Sequence, residues 1–226
     1  MTAIEDHEAY FRAISTGPWA DPADPGHRVG AALRRLAAMA LAGAPSDDEL
    51  AALAERLEAL APPSMDVPQG SRYRDEDRPS ADGTRRVQPN ANGTHPLAGP
   101  RNPIAPPIVL SLDGDVVYGD VVYDVRVEGL PGLVQGGFIA AAFDLMLGQG
   151  VAISGQGGMT GSLSVRYLAP TPLYVPLRYE ARFDRRDGRK TFAKALLRRC
   201  DDGTVCAEAE GVFIAPRVLP GAKPDA

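Results

Sequence analysis

The sequence predicts an α+β fold in which a curled antiparallel sheet wraps around one helix. Three observations predict this class. Beyond residue 107 the chain contains six strand-like segments separated by short turns, an apolar segment of helical length follows the second of them, and a helical hairpin precedes them all. Because strands that meet through tight turns pair in opposite directions, the sheet is expected to be antiparallel.

The overall composition limits the classes of protein that this chain can encode. Its 226 residues leave room for one good-sized domain and an appendage, and 24 Lys plus Arg against 29 Asp plus Glu give a net charge of −5. A nucleic-acid partner is not expected, because binding to phosphates requires a basic surface. We recognise no apolar run of membrane-spanning length and no signal-peptide profile, so the sequence predicts a cytoplasmic protein without a membrane span.

Two helices are predicted near the N-terminus. Asp24 and Pro25 fit an N-cap and a first-turn proline, and apolar residues then recur at helical spacing. Ser46 and Glu49 form a capping box for a second helix, which carries leucines along one stripe. Residues 1–61 are therefore predicted to be a helical appendage that packs against something larger.

A proline-rich connector is predicted to follow the helices over residues 62–104. Of the 21 prolines, 10 lie between residues 62 and 107, with Gly, Asn, Asp and Arg between them. Such a composition favours an extended chain with no core of its own. The main domain is then assigned to residues 105–218, and residues 219–226 form a tail.

The main domain is predicted to hold six strands and one helix. The strands are Ile108–Leu112, Val116–Val127, Thr160–Leu168, Val175–Phe183, Thr191–Arg199 and Val205–Pro216. The helix runs from Phe138 to about Ser154 and lies between the second and third strands. Asp-Gly pairs favour tight hairpin turns between the last three strands.

One carboxylate stands alone in a long neutral segment of this domain. Between Glu128 and Arg166, Asp144 is the only ionisable side chain, and it lies in a helix that is apolar on all sides. Such a helix is expected to be buried, and a buried carboxylate loses its hydration unless it is hydrogen-bonded. We therefore interpret Asp144 as a general base or a nucleophile. A cap on a neighbouring backbone, or a place in an interface, is the structural alternative.

The start of the same helix carries the glycine pair Gly136 and Gly137. Amides at a helix N-terminus have no partner within the helix, so they are able to bind an oxyanion or a thioester carbonyl. Glycine pairs also serve helix starts and tight packing, and the pair alone leaves both uses open. Asp144 lies seven residues beyond Gly137, about 10 Å along the helix axis. We therefore expect the site to be shared between the two chains of a two-fold dimer.

Two segments together resemble a known family. Residues 131–144, PGLVQGGFIAAAFD, and residues 159–173, MTGSLSVRYLAPTPL, closely resemble hotdog-fold acyl-CoA thioesterases of the phenylacetic-acid-pathway type and the related human long-chain type. The resemblance covers roughly residues 105–216. It implies a hotdog fold, hydrolysis of acyl-CoA to a carboxylic acid and CoA as part of lipid metabolism, no cofactor and no metal, and a homodimer or dimer of dimers with sites at the interface.

The resemblance also assigns roles to individual residues. It places Asp144 at the catalytic carboxylate, Gly137 with Gly136 beside it at the amide that polarises the thioester carbonyl, and Thr160 at a hydroxyl that orients water. Gln135 stands where the family usually has the His of a His-Gly-Gly motif, and glutamine hydrogen-bonds but is never protonated. Catalysis is expected to survive if this position only orients the loop or the substrate.

Cations for the CoA phosphates are expected at the hairpin around Asp187 and Gly188. The candidates there are Arg185, Arg186, Arg189 and Lys190. A solvated charged hairpin is the alternative for them. The apolar helix residues Phe138, Ile139, Ala142, Leu145 and Met146 are candidates for an acyl tunnel or, alternatively, for the core.

Three other functions compete with hydrolysis. The first is a non-catalytic acyl-CoA binder or sensor that uses the same pocket. A hotdog dehydratase or hydratase is less favoured, because all three histidines, His7, His27 and His95, precede the main domain. A purely structural oligomer module leaves Asp144 unexplained.

Overall fold

The computed structural model describes residues 23–43, 45–62, 64–65, 93–106, 108–155 and 158–215. These residues form three helices: α1 (Pro25–Leu41), α2 (Asp47–Leu60) and α3 (Gly136–Ile153). The strands are β1 (Val109–Asp113), β2 (Val116–Val122), β3 (Met159–Tyr167), β4 (Pro176–Asp187), β5 (Lys190–Arg199) and β6 (Val205–Ile214). They form one sheet in the order β1-β2-β4-β5-β6-β3, in which all neighbours are antiparallel. The predicted α+β class is confirmed.

The caps of the two N-terminal helices are those that the sequence predicts. The Asp24 carboxylate accepts the backbone N–H of His27 at 2.9 Å, and Ser46 and Glu49 exchange both hydrogen bonds of a capping box. Helix α2 nevertheless buries none of its residues, so its leucine stripe does not pack in the described part of the chain. Residues 1–22, residues 66–92 of the predicted connector and the predicted tail, 219–226, lie outside the described residues.

Helix α1 docks on the segment of residues 93–106. The Arg34 guanidinium donates to the carbonyls of Pro100 and Asn102, each at 2.9 Å. A Cβ at Gly30 would lie 2.6 Å from the Pro100 carbonyl oxygen, so only glycine permits this approach. Burial, followed by the nearby guanidinium of Arg126, lowers the pKa of Arg34. Backbone carbonyls therefore satisfy a partly desolvated cation at this contact.

The predicted second strand is too long. It was expected to reach Val127, but β2 ends at Val122 and residues Val125–Val127 form a short 3-10 turn. Asp124 explains the difference, because its carboxylate accepts the backbone N–H of Arg126 at 3.0 Å and the Arg126 Nε–H at 2.9 Å. Such a local side-chain bond competes with strand pairing and turns the chain.

Helix α3 lies against the inner face of the sheet and supplies much of the core. Its buried residues are Ile139, Ala142, Phe143, Leu145, Met146, Leu147, Gly150 and Val151. Two glycines allow the close approach. A Cβ at Gly119 of β2 would lie 2.6 Å from the Met146 sulfur, and one at Gly150 would lie 3.3 Å from the Arg182 backbone. This packing fixes the position of every side chain on α3 relative to the sheet.

The length and composition of α3 correct one expectation from the sequence. Its 18 residues have a mean hydropathy of 1.5, so the helix is long and apolar enough to cross a membrane, contrary to the expectation that no such run exists. It packs against β4 and β5 in the core. That is the place of a central helix in a folded domain, and length and composition alone are weak evidence for a span.

A buried tyrosine pair lies beneath α3. The hydroxyl oxygens of Tyr123 and Tyr179 are 2.9 Å apart, and Phe143 meets the Tyr179 ring edge to face with ring centres 5.2 Å apart. Burial raises the pKa of Tyr123 to about 12 and holds that of Tyr179 well above its usual range. The pair is therefore neutral, and within the described residues each hydroxyl has the other as its hydrogen-bond partner.

Tyr123→Phe is expected to lower the free energy of unfolding by about 1–3 kcal/mol, because it leaves the buried Tyr179 hydroxyl without a partner. The double variant Tyr123→Phe/Tyr179→Phe removes both hydroxyls and is expected to recover most of that loss. Urea denaturation of the wild type and the variants measures both effects. A double variant that loses the sum of the two single effects would contradict the pairing.

Candidate active site

One face of α3 is open in the single chain. Gly137 and Ala141 are exposed, and Asp144 and Gly148 are partly exposed. Their spacings of four, three and four residues place them on one side of the helix. The expectation of a helix buried on all sides is therefore wrong, because the sheet covers only the opposite side. This open face, Gly137–Ala141–Asp144–Gly148, carries the lone carboxylate.

The Asp144 carboxylate is oriented by Thr160 at the start of β3. The Thr160 hydroxyl donates to Asp144 Oδ1 at 2.6 Å. Among the residues that the structure describes, Asp144 Oδ2 has no hydrogen-bond partner. The resemblance implies that the Thr160 hydroxyl helps to orient the attacking water, and in the structure this hydroxyl binds the Asp144 carboxylate. One carboxylate oxygen is thus held in place and the other is available to accept a proton.

The amides at the start of α3 are only partly free. Gln135 is the N-cap residue, and its side-chain oxygen Oε1 accepts the N–H of Gly137 at 2.6 Å and the N–H of Phe138 at 3.2 Å. The Gly136 N–H has no partner within the described residues. The expectation of unpaired amides therefore fails at Gly137, because the Gln135 side chain folds back onto the helix start.

Tyr167 is a contact that sequence reasoning missed. Its hydroxyl, at the end of β3, donates to the Gly136 carbonyl at 2.7 Å. A Cβ at Gly136 would lie 3.3 Å from this hydroxyl oxygen, and a Cβ at Gly137 would lie 2.8 Å from Gln135 Oε1. Both neighbouring atoms are the ends of flexible side chains, so a larger residue at either glycine would displace Tyr167 or Gln135 from its hydrogen bond at the helix start. Tyr167 falls inside the second resembling segment, but nothing in the sequence pairs it with a helix start.

The site residues within one chain do not converge on a single point. Gly137 and Asp144 lie seven residues apart on α3, which corresponds to two turns and about 10 Å along the axis. A carbonyl oxygen about 3 Å from the Gly137 amide is too far from the Asp144 carboxylate of the same chain for one water molecule to connect them. The two halves of the predicted site therefore remain separate in the single chain.

The hairpin cations divide between the two faces of the sheet. Directly paired residues point to the same face, and Arg186 pairs with Thr191, which is buried. Arg186 therefore projects on the side of α3. The same row of the sheet continues through Phe213 to Thr160. At about 4.8 Å per strand, Arg186 lies about 14 Å across the sheet from Thr160.

The other three hairpin cations have different surroundings. Arg185 lies on the outer face, where it pairs with Asp184 at 2.7 Å and its guanidinium carbon lies 3.8 Å from the centre of the Phe192 ring. Arg189 donates to the Ala215 carbonyl at 2.8 and 2.9 Å. Lys190 has no ion-pair partner in the described part of the chain. Arg186 donates from Nε alone, to the Gly188 carbonyl at 2.9 Å. Arg186, whose two Nη groups have no partner among the described residues, and Lys190 are thus the cations most available to a ligand.

The predicted acyl-tunnel residues lie mainly in the core. Ile139, Ala142, Leu145 and Met146 are buried between α3 and the sheet, whereas Phe138 is 37% exposed beside Gly137. Among these residues, Phe138 is therefore the one available to contact an acyl group near the open face.

Elsewhere, the described residues form a depression on the outer face of the sheet but no cluster of metal ligands. Within the described residues, no three His, Cys, Asp or Glu side chains lie close enough together to hold a metal ion. A shallow depression of about 640 Å³ lies on the outer face, among charged side chains that include Arg166, Glu180 and Arg182. Asp144 lies on the other side of the sheet, so this depression is not part of the candidate site.

The curled sheet around a central helix defines a hotdog-fold protein. No family model matches the chain. The crystal structure of a thioesterase superfamily protein is 32% identical and superimposes with a TM-score of 0.67, covering 85% of this chain and 91% of that one. The chain belongs to the thioesterase superfamily. Because the sheet and α3 make up about half of the chain, the match extends into the N-terminal region.

Curated relatives are similar over a shorter stretch. The acyl-coenzyme A thioesterase THEM4 of Bos taurus is 34% identical over 87 residues, or 38% of this chain and 35% of that protein. The Xenopus laevis THEM4 is 36% identical over 87 residues, or 38% of this chain and 39% of that protein. The chain thus matches less than two fifths of the length of these two relatives.

Proposed function

We propose that this protein is an acyl-CoA thioesterase, which hydrolyses an acyl thioester to a carboxylic acid and free CoA. The observation that carries the proposal is the Asp144 carboxylate, held at one oxygen by Thr160 and open at the other, on the exposed face of the central helix. Membership of the thioesterase superfamily supports it, as does the naming of both curated relatives as acyl-coenzyme A thioesterases.

The chemistry assigns one role to each group. Asp144 removes a proton from water as the water oxygen attacks the thioester carbon. The N–H of Gly136 donates to the carbonyl oxygen, joined by the N–H of Gly137 once the Gln135 side chain releases it, and this oxygen becomes an oxyanion as the carbon turns tetrahedral. The C–S bond then breaks, the carbonyl re-forms, and the thiolate of CoA takes the proton from Asp144. Direct attack by the carboxylate, followed by hydrolysis of an anhydride, uses the same groups and is the alternative route.

Because Gly137 and Asp144 of one chain lie about 10 Å apart, we propose that each active site combines residues of two chains. In a two-fold dimer with antiparallel α3 helices, the open face Gly137–Ala141–Asp144–Gly148 of one chain meets the same face of its partner. Asp144 of each chain then approaches the glycine amides of the other. The free edge of β3, which among the described strands pairs with β6 alone, supports such an assembly. The small side chains on the open face permit close contact of the two helices.

Arg186 is proposed to bind a CoA phosphate. Arg186→Gln is expected to raise KM for acyl-CoA about fivefold, because it removes one charge-assisted contact of about 1 kcal/mol, and to leave kcat nearly unchanged. Arg185→Gln is the matched control, since it removes the same charge from the opposite face, where Asp184 already neutralises it. Steady-state kinetics with one acyl-CoA measures both variants. Equal KM changes in the two variants would remove Arg186 from the site.

The experiment that tests the proposed function is a hydrolysis screen with free-thiol detection. Acyl-CoAs of increasing chain length and branching are offered to the wild-type protein, and release of CoA from at least one of them is expected. Binding of acyl-CoA across the panel without any thiol release would instead favour the non-catalytic binder or sensor.

A further inference from the structure

The N–H of Gly136, at the start of α3, is open to a ligand. Gln135 Oε1 already accepts the N–H of Gly137 at 2.6 Å, whereas the N–H of Gly136 has no partner within the described residues. N–H groups in the first turn of a helix point out of its N-terminus, so their direction depends on the conformation of the first residues. Glycine is the most permissive residue in its backbone angles, so two successive glycines do not fix that direction by themselves. A contact from outside the helix is needed to hold this amide.

Tyr167 makes such a contact. Its hydroxyl donates to the Gly136 carbonyl oxygen at 2.7 Å. This carbonyl belongs to the same residue as the open N–H, so a bond to it restricts the rotation of Gly136 about its backbone angles. The carbonyl also shares one peptide group with the N–H of Gly137, and a hydrogen bond at the oxygen of a peptide strengthens the donor at its nitrogen. Tyr167 therefore acts on both amides that the proposed reaction uses.

A bulge in β3 brings the Tyr167 hydroxyl to the helix side of the sheet. Thr160 and Tyr167 lie seven residues apart, and in a regular strand residues an odd number apart point to opposite faces. Thr160 pairs with Phe213, which is buried, and Tyr167 pairs with Ala207, which is also buried. Both hydroxyls therefore face α3. The register shift between Thr160 and Ser162 explains this, because a bulge adds one residue to the strand.

We propose that Tyr167 is a positioning residue that holds Gly136 so that its N–H points at the thioester oxygen. The inference rests on the proposed function. Tyr167 is 53% exposed in the single chain, and a hydrogen bond that water can replace contributes little to the stability of the fold. With Thr160, which binds the Asp144 carboxylate at 2.6 Å, Tyr167 makes β3 the element that orients both the base and the oxyanion amide.

Tyr167→Phe removes the hydroxyl and keeps the ring. The substitution is expected to lower kcat for acyl-CoA hydrolysis about tenfold, which is less than the hundredfold or more that loss of a whole oxyanion donor costs. KM and the free energy of unfolding are expected to stay near their wild-type values, because the hydroxyl contacts neither CoA nor the core. Steady-state thiol release and urea denaturation measure these quantities.

Tyr118→Phe is the matched control. Tyr118 pairs directly with Glu180, which lines the depression on the outer face of the sheet, so its hydroxyl lies on the side away from α3. Its removal is expected to leave kcat unchanged. Equal kcat values for Tyr167→Phe and the wild type, or equal losses in the two variants, would overturn the inference.

The carbonyl stretch of a bound substrate analogue reports on the Gly136 amide directly. The probe is a ketone analogue of the acyl-CoA, in which CH₂ replaces the sulfur and the carbonyl carbon is ¹³C. A hydrogen bond to the carbonyl oxygen polarises the C=O bond and lowers its stretching frequency, so binding to the wild type is expected to lower it. At saturating ketone this shift is expected to be smaller in Tyr167→Phe and unchanged in Tyr118→Phe. A residue that only stabilises the fold leaves the shift of the bound ketone as it is, and that result would contradict a positioning role.

The two measurements distinguish failure of this inference from failure of the proposed function. Absence of thiol release from the wild type across the acyl-CoA panel would refute the proposed function. The ketone then decides the inference by itself. A smaller shift in Tyr167→Phe than in the wild type supports it, and equal shifts, or no binding of the ketone to the wild type, would overturn it as well.

Discussion

Asp144→Asn is expected to lower kcat for acyl-CoA hydrolysis by about a hundredfold to ten-thousandfold, the usual contribution of a general base. Asparagine keeps the size of the side chain, and its oxygen is still able to accept the Thr160 hydroxyl that binds Asp144 at 2.6 Å. It does not accept a proton from water. KM is expected to change little, because the carboxylate acts in the chemical steps, on water and on the leaving thiolate, and binds no other part of CoA in this mechanism. Steady-state thiol release measures both constants.

Asp120→Asn is the matched control for this substitution. Asp120 pairs with Arg178 at 2.7 Å, and both side chains are partly exposed. The same loss of a carboxylate there is expected to leave kcat and KM near their wild-type values, since an exposed ion pair contributes little to stability. Equal kcat values for Asp144→Asn and the wild type would exclude Asp144 as the base.

Mixing two inactive variants is expected to restore hydrolysis. Asp144→Asn removes the base. Gly137→Val adds a branched side chain at the start of α3, where a Cβ alone would already lie 2.8 Å from Gln135 Oε1. If each site combines Asp144 of one chain with Gly137 of the other, every heterodimer has one intact site. Random assortment then gives about a quarter of the wild-type number of sites. Activity after co-refolding, compared with each variant alone, measures the recovery.

A double variant supplies the opposite test of the same geometry. When Asp144→Asn and Gly137→Val are in one chain, a heterodimer with the wild type has each site damaged once, and is expected to be inactive. If each site instead lay within one chain, that heterodimer would keep one intact site. The two single variants would then fail to restore each other's activity. Either of those two results would contradict a shared site.

The elements that local chemistry determines are the ones that sequence predicts best. The N-cap at Asp24 and the capping box at Ser46 involve residues within one turn of each other, so the spacing in the sequence is enough to predict the hydrogen bonds. The end of β2 was predicted wrongly for a related reason. The apolar pattern from Val116 to Val127 favours one continuous strand. The Asp124 carboxylate instead binds the backbone N–H of Arg126, and this local hydrogen bond turns the chain.

The candidate site was predictable only in part. Asp144 is conspicuous in the sequence because its neighbours are neutral, but its contact with Thr160 joins two elements whose relative placement depends on the packing of α3 in the sheet. That placement also opens one face of α3, which an all-apolar pattern does not reveal. The Gln135 cap was harder to predict, since the usual N-cap residues are Ser, Thr, Asp and Asn rather than Gln.

The most direct test of the account is the release of CoA thiol by the wild-type protein across an acyl-CoA panel, measured beside Asp144→Asn at equal protein concentration. The account predicts turnover of at least one acyl-CoA by the wild type and loss of that turnover in the variant. Binding of acyl-CoA without thiol release, or equal release by the two proteins, would contradict it.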